Sequence, residues 1–129
     1  MKQKQNPVCW FEIYVNDMDR AKNFYSKVLH VEIEDAPEMD EMPDMQMAFF
    51  PWVENAPNAN GALVKMDGMS AGTGGTLIYF QCDDCAVEES RVEAAGGKVH
   101  QPKMSLGEHG FCSTCSDTEG NMFGLHSMK

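Results

Sequence analysis

The sequence predicts an α+β fold built from two strand–helix–strand–strand–strand modules, and three observations carry that expectation. Phe11-Glu-Ile-Tyr-Val15 runs into Asn16-Asp17 and a helical pattern, and Ile78-Tyr-Phe-Gln-Cys82 runs into Asp83-Asp84 and another. A unit repeated once at so long an interval is a supersecondary module that cannot bury its apolar face alone, not a solenoid repeat. Between the copies Gly68, Gly72, Gly74 and Gly75 punctuate a natural seam. The 129 residues suit one domain over 1–129, with modules at about 8–66 and 75–128.

Each element follows from local pattern. Residues 8–15 alternate, with Phe11, Ile13 and Val15 on one face and Trp10, Glu12 and Tyr14 on the other. Met18, Ala21, Phe24, Tyr25, Val28 and Leu29 recur at helical spacing behind Asp17, a good N-cap, with Asp19 in the favourable first turn. A short strand is expected at 31–34, an exposed loop of prolines and acids at 35–44, and strands at 45–50 and 61–66. The second module opens with Thr76–Cys82, whose Ile78, Phe80 and Cys82 match the core-facing set of the first. A helix over about Cys85–Ala95 follows, closed by Gly96-Gly97. Strands at 98–100, 110–116 and 121–126 complete it, the last two joined by Asp117-Thr-Glu-Gly120, a type I turn pattern with Asp first and Gly fourth.

Composition narrows the function. Twenty acids against ten Lys and Arg leave a formal charge of −10, which opposes binding to phosphate backbones, and no basic cluster offsets it. Nucleic acid is not an expected partner. There is no apolar run long enough to span a bilayer and no basic–apolar leader, so neither membrane insertion nor secretion is expected and a cytoplasmic location is. Five cysteines, an odd number, then read as cytosolic thiols rather than a disulfide framework.

Phe11-Glu-Ile, Asp17-Met-Asp-Arg-Ala-Lys-Asn-Phe-Tyr25, Gly96-Gly-Lys-Val99 and Asp117-Thr-Glu-Gly-Asn-Met-Phe-Gly-Leu-His126 together resemble the vicinal-oxygen-chelate superfamily. That group holds glyoxalase I, extradiol dioxygenases, methylmalonyl-CoA epimerase and the fosfomycin- and bleomycin-resistance proteins, and the wording is most similar to its lactoylglutathione-lyase-related branch. The resemblance covers nearly the whole chain. It implies two βαβββ modules forming a curved mixed sheet around a cleft, the glyoxalase-like fold. In metal-using members four His, Glu or Gln side chains hold a divalent ion in that cleft. Carried over singly, those positions fall here on Trp10, on the strand containing Ala62, Leu63, Val64, Lys65 and Met66, on Leu77 and on Gly124. Indole, isobutyl and hydrogen offer no lone pair to an ion that needs donors within about 2.0–2.6 Å. No metal and no cofactor is expected.

If the core-facing parity packs under the helices, the opposite parity lines the cleft: Trp10, Glu12 and Tyr14; Leu77, Tyr79 and Gln81; Met122, Gly124 and His126. An apolar wall with a few converging polar groups is the usual make-up of a small-molecule site. Glu12, Tyr79 and His126 are the candidate catalytic groups, and Trp10, Tyr14, Trp52, Leu77, Gln81 and Gly124 the candidate ligand contacts. Each has a plainer role open to it. Glu12 can simply satisfy a neighbouring Tyr or Trp, His126 can be a solvated strand end, Tyr79 a wall residue, and either Trp a core filler. As a base, Glu12 would draw on its apolar surroundings, which disfavour the charged form and raise a carboxyl pKa.

Cys82-Asp-Asp-Cys85 and Cys112-Ser-Thr-Cys115 superficially match a zinc ribbon, but Cys112 and Cys115 stand three apart on a strand and point to opposite faces, where a knuckle needs a turn. His109 reads as an exposed loop residue. Met39, Met42, Met45 and Met47, among eleven methionines, suit an adaptable ligand wall, a subunit interface or a loosely packed loop equally. The expected function is binding of a small organic molecule without metal, with metal-free acid–base chemistry of isomerase, epimerase or lyase type if the protein is an enzyme. The alternative is a non-catalytic, ligand-sequestering binder of the bleomycin-resistance type. A homodimer is expected, since paired modules leave sheet edges to cover.

Overall fold

The computed structural model describes residues 5–129. The chain forms two compact units, Phe11–Thr76 in one and Leu77–Lys129 with the chain up to Trp10 in the other.

The first unit takes the end of β1 (Val8–Tyr14), then α1 (Met18–Leu29), β2 (Glu34–Asp35), β3 (Gln46–Phe49) and β4 (Asn60–Lys65), with strand order β2-β3-β4-β1. Asp17 caps α1 through its side chain, which accepts from the Arg20 N–H at 3.0 Å. His30 ends the helix in the left-handed region at φ 53°, its N–H returning to the Ser26 carbonyl. Val15, Met18, Ile33, Ala48 and Leu63 form the core, with Ile13, Ala21, Tyr25, Val31 and Phe50 packed on it. The helix buries only part of its expected stripe: Phe24, Val28 and Leu29 are each more than half exposed. Met18, Ala21 and Tyr25 make the helix's contact with the core. The strand expected at 31–34 shrinks to Glu34–Asp35, because the chain pairs with β3 only there (Glu34 opposite Phe49, Asp35 opposite Ala48). β3 and β4 run antiparallel, with Ala48 opposite Leu63.

The second unit repeats the plan with β5 (Thr76–Gln81), α2 (Cys85–Val92), β6 (Lys98–Ser105), β7 (Phe111–Ser116) and β8 (Met122–Ser127), in order β5-β8-β7-β6. β5 and β8 are parallel, whereas β8, β7 and β6 are antiparallel neighbours. In each unit the first strand thus lies beside the fourth, and the helix connects the first strand to the second. Cys82, Cys85, Cys115 and Leu125 form the core, with Phe80, Val92, Val99, Phe111 and Phe123 against it. Ile78 is 37% exposed, whereas Phe80 and Cys82, of the same parity, pack in the core as expected. α2 is three residues shorter than expected, and Gly97 N–H returns to the Val92 carbonyl at 3.0 Å. β6 is longer than expected: it runs through Pro102 with register shifts on both sides of Gln101. Proline is tolerated there because β6 stands last in the strand order. The turn at 117–120 forms as read, with the Gly120 N–H on the Asp117 carbonyl at 3.2 Å.

Candidate functional site

Strand alternation puts Glu12 and Tyr14 on the same face of β1, and both are buried, at 7% and 4% exposure. The Tyr14 hydroxyl donates to Glu12 Oε1 at 2.8 Å. The carboxyl group thus sits in a place water scarcely reaches, with a phenolic hydrogen bond on one oxygen. One backbone bond fixes the end of this strand: the Tyr14 N–H donates to the Gly75 carbonyl at 2.7 Å. On the other face Ile13 and Val15 join the core under α1, as expected. Phe11 is edge-tilted on Phe50, ring centroids 5.5 Å apart, and lies over Gly61, where a Cβ would strike the Phe11 carbonyl and ring. Trp52 does not belong with this group. It sits 72% exposed in the loop after β3.

In the second unit Tyr79 and Gly124 face each other across the parallel β5–β8 pair, and Gln81 faces His126. The Tyr79 ring lies where a Cβ on Gly124 would stand. Leu77 is buried, and Trp10, Tyr79, Gln81 and His126 are part-buried. His126 Nε2 sits 2.7 Å from the His109 carbonyl, so the loop at 107–109 ties down the imidazole through its backbone. The His109 ring itself is exposed. Sequence pattern flagged both histidines but not this link, which depends on a 3₁₀ turn over Gly107–His109. Cys9, unflagged, directs its thiol toward the Tyr79 carbonyl at 3.6 Å, and burial pushes that thiol up.

Beneath α2 the sulfurs have a different character. Burial pushes the Cys82 thiol up to about 12, helped by the Glu88 carboxylate. Cys115 is raised by the same cause, with Ser113 Oγ 3.6 Å from its sulfur. Glu88 Oε1 is buried with no hydrogen-bond partner among the described residues. A cavity of about 260 Å³ is lined by Gln81, Cys82, Asp83 and Glu88, and another of about 350 Å³ by Glu88, Val92, Phe123 and Leu125. Of the expected site residues only Gln81 reaches either. Among the described residues no three His, Cys, Asp or Glu side chains gather closely enough to hold a metal ion.

The sequence model of the Glyoxalase/Bleomycin resistance protein/Dioxygenase superfamily matches residues 8–125. The chain belongs to this superfamily. Solved structures agree on the glyoxalase-like α+β fold. A variant of Streptomyces coelicolor methylmalonyl-CoA epimerase in complex with 2-nitronate-propionyl-CoA superposes with a TM-score of 0.68 at 15% identity, over 95% of this chain and 94% of that one. Methylmalonyl-CoA epimerase from Mycobacterium tuberculosis gives 0.69 at 13%, over 100% and 93%. A hypothetical protein from Bacillus halodurans C-125 gives 0.70 at 13%, over 98% and 96%. No curated protein matches the sequence.

Metal-using glyoxalase-superfamily members need a donor at each of four strand positions, and the residues here do not fit that need. Trp10 and Leu77 present carbon surfaces at two of them. At a third, the Tyr79 ring fills the space beside Gly124 that a ligand side chain would enter. The strand of the fourth offers Ala62, Leu63 and Val64, all fully buried.

Proposed function

We propose that this glyoxalase-superfamily protein binds a small organic molecule and moves a proton on it by acid–base chemistry without a metal, as an isomerase, epimerase or lyase. The buried Glu12 carboxylate, hydrogen-bonded to the Tyr14 hydroxyl at 2.8 Å, carries the reading. Glu12 would take a proton from a carbon next to a carbonyl: the new bond is O–H on the carboxyl, and the C–H electron pair passes into the enolate. Protonation of the enolate on its other face by a second acid or by water, with Glu12 releasing its proton to solvent, epimerises the carbon; transfer of the proton from Glu12 to another atom of the conjugated system isomerises the molecule. Tyr14 positions the carboxylate and steadies its charge before the proton arrives and again once it has left. Positioned proton transfer is worth about 10²–10⁴ in rate. The neighbours named as methylmalonyl-CoA epimerases support the reaction class. With a net charge of −10, a polyanionic substrate is disfavoured against a neutral or singly charged carbonyl compound.

The test is deuterium wash-in from D₂O, followed by mass spectrometry, for a panel of aldehydes, thiohemiacetals, hydroxy acids and one CoA thioester. Native mass spectrometry of freshly purified protein would extend the panel with any co-purified molecule. Glu12→Gln keeps size and removes the titrating group, so wash-in should fall by ~100-fold or more with the fold intact. Unchanged wash-in in that variant rules Glu12 out as the base.

One observation favours the alternative of a non-catalytic binder. His126 Nε2 is already held by the His109 carbonyl and Tyr79 covers Gly124, so these groups serve a wall at least as well as a proton relay. Tight binding of a panel compound with no wash-in would select that reading. We further propose that the protein acts as a homodimer.

A further inference from the structure

The segment between β2 and β3 places methionines at 39, 42 and 45 among Glu38, Asp40, Glu41 and Asp44. Its backbone makes two tight turns in succession. The Met42 N–H donates to the Met39 carbonyl at 3.1 Å, and the Met45 N–H to the Met42 carbonyl at 3.3 Å. Met39 and Met42 also form an antiparallel bridge. Pro43 occupies the second position of the second turn, where its fixed φ suits the bend. Advancing by three residues per turn sorts the side chains. Met39, Met42 and Met45 are half-buried, while Asp40, Glu41, Pro43 and Asp44 between them are exposed. The three thioethers thus stand at the half-buried positions of one short segment whose intervening positions are exposed and mostly acidic.

Thioether sulfur is a neutral, soft donor that selects Cu(I)-like ions over hard cations. Three neutral ligands leave the ion's positive charge unbalanced, and four carboxylates within the segment supply the compensating field. Packing alone asks for no sulfur at three consecutive turn positions, since Leu or Ile would specify an apolar anchor better. We propose that Met39, Met42 and Met45 form a binding site for a soft monovalent cation of the Cu(I) type. Cys82, Cys85, Cys112 and Cys115 are buried and Cys9 is half-buried, so access rather than affinity limits competition from the thiols.

The probe is Ag(I), a redox-inert analogue of Cu(I), titrated as silver nitrate in chloride-free buffer at pH 7 into full-length protein carrying ¹³C-methyl methionine. The methyl resonances of Met39, Met42 and Met45 should move and saturate at one equivalent while those of Met18 and Met104 stay in place, and Ca²⁺ should move none. Met42→Leu, close in volume, should weaken Ag(I) binding at least tenfold, and the triple Leu variant should abolish it, whereas Cys9→Ser leaves it unchanged. Stationary Met39, Met42 and Met45 methyls at one equivalent overturn the proposal. So does wild-type affinity in a folded triple variant, which would place the silver on cysteine. If the triple variant fails to fold, the wild-type methyl shifts decide alone.

Discussion

At the scale of single residues, the strongest constraint in the second unit is the pair Tyr79 and Gly124. Only hydrogen fits at Gly124, because the Tyr79 ring occupies the space of a Cβ. Gly124→Ala should therefore destabilise by about 1–3 kcal/mol, the usual range for an overpacked site. Tyr79→Ala should relieve most of that, so the double variant should be clearly less than additive in urea unfolding. Strict additivity would show that the ring does not enforce the glycine. The same pair shows what sequence can and cannot reveal about the candidate site. Alternation placed Glu12 beside Tyr14 on one strand face, and the option that Glu12 satisfies a neighbouring Tyr is the contact found. It could not show that a tyrosine would lie over Gly124 or that His126 would be held by the His109 carbonyl. Both depend on pairing between segments distant in sequence. Trp52 illustrates a related limit: an aromatic residue signals apolar area, but only the loop's course decides what lies near it, and here it is 72% exposed.

At the scale of elements, Asp84 joins α2 to β6. Its side chain accepts from the Ala86 N–H at 3.0 Å as N-cap, and pairs with Lys103 Nζ at 2.9 Å. Lys103 in turn donates its backbone N–H to Glu89 at 2.6 Å and lays its ammonium 4.7 Å from the centroid of the Phe111 ring. Asp84→Asn keeps a cap acceptor and removes the ion pair, whereas Asp84→Ala removes both. Exposed ion pairs contribute little and caps more, so the Ala variant should lower the urea midpoint further than the Asn variant. The Lys103 ammonium, then the Ala86 N–H, hold the Asp84 carboxyl below its ordinary range. A group depressed on folding adds stability above its unfolded pKa, near 3.8, and loses it as the pH falls through the lower folded value. Wild type and Asp84→Asn should therefore differ most above pH 5, with the gap closing as the pH falls below 3.8 through the lower folded value, and a constant gap would exclude the linkage. β6 itself was only partly legible, as Lys98–His100. Pro102 breaks the strand pattern in the sequence, and only a terminal place in the sheet order, which no local pattern records, lets the strand continue to Ser105.

At the scale of the whole molecule, the repeated strand–turn–helix pattern was the most legible feature, because capping aspartates and alternating strands are local. What surface stays open to a second copy is not local. Phe24, Val28 and Leu29 belong to the apolar set that recurs at helical spacing along α1, yet they are 57%, 58% and 53% exposed. Apolar side chains one helical turn apart on one element are a natural interface patch, and a two-fold contact is the default way to close it. Self-association must also overcome the charge of −10 on each copy, so the proposed homodimer should tighten as salt screens that repulsion. Light scattering at micromolar concentration and 0.15 M salt should give about twice 14.4 kDa. Diluting the salt should shift the equilibrium toward the single chain, and Phe24→Asp should shift it further by placing a charge in the patch. A mass of one chain at every salt concentration would refute the dimer. A dimer untouched by Phe24→Asp would move the interface off α1, toward the strands that end each unit's order, β2 and β6, whose unpaired backbone groups are the other surfaces that a second copy could cover.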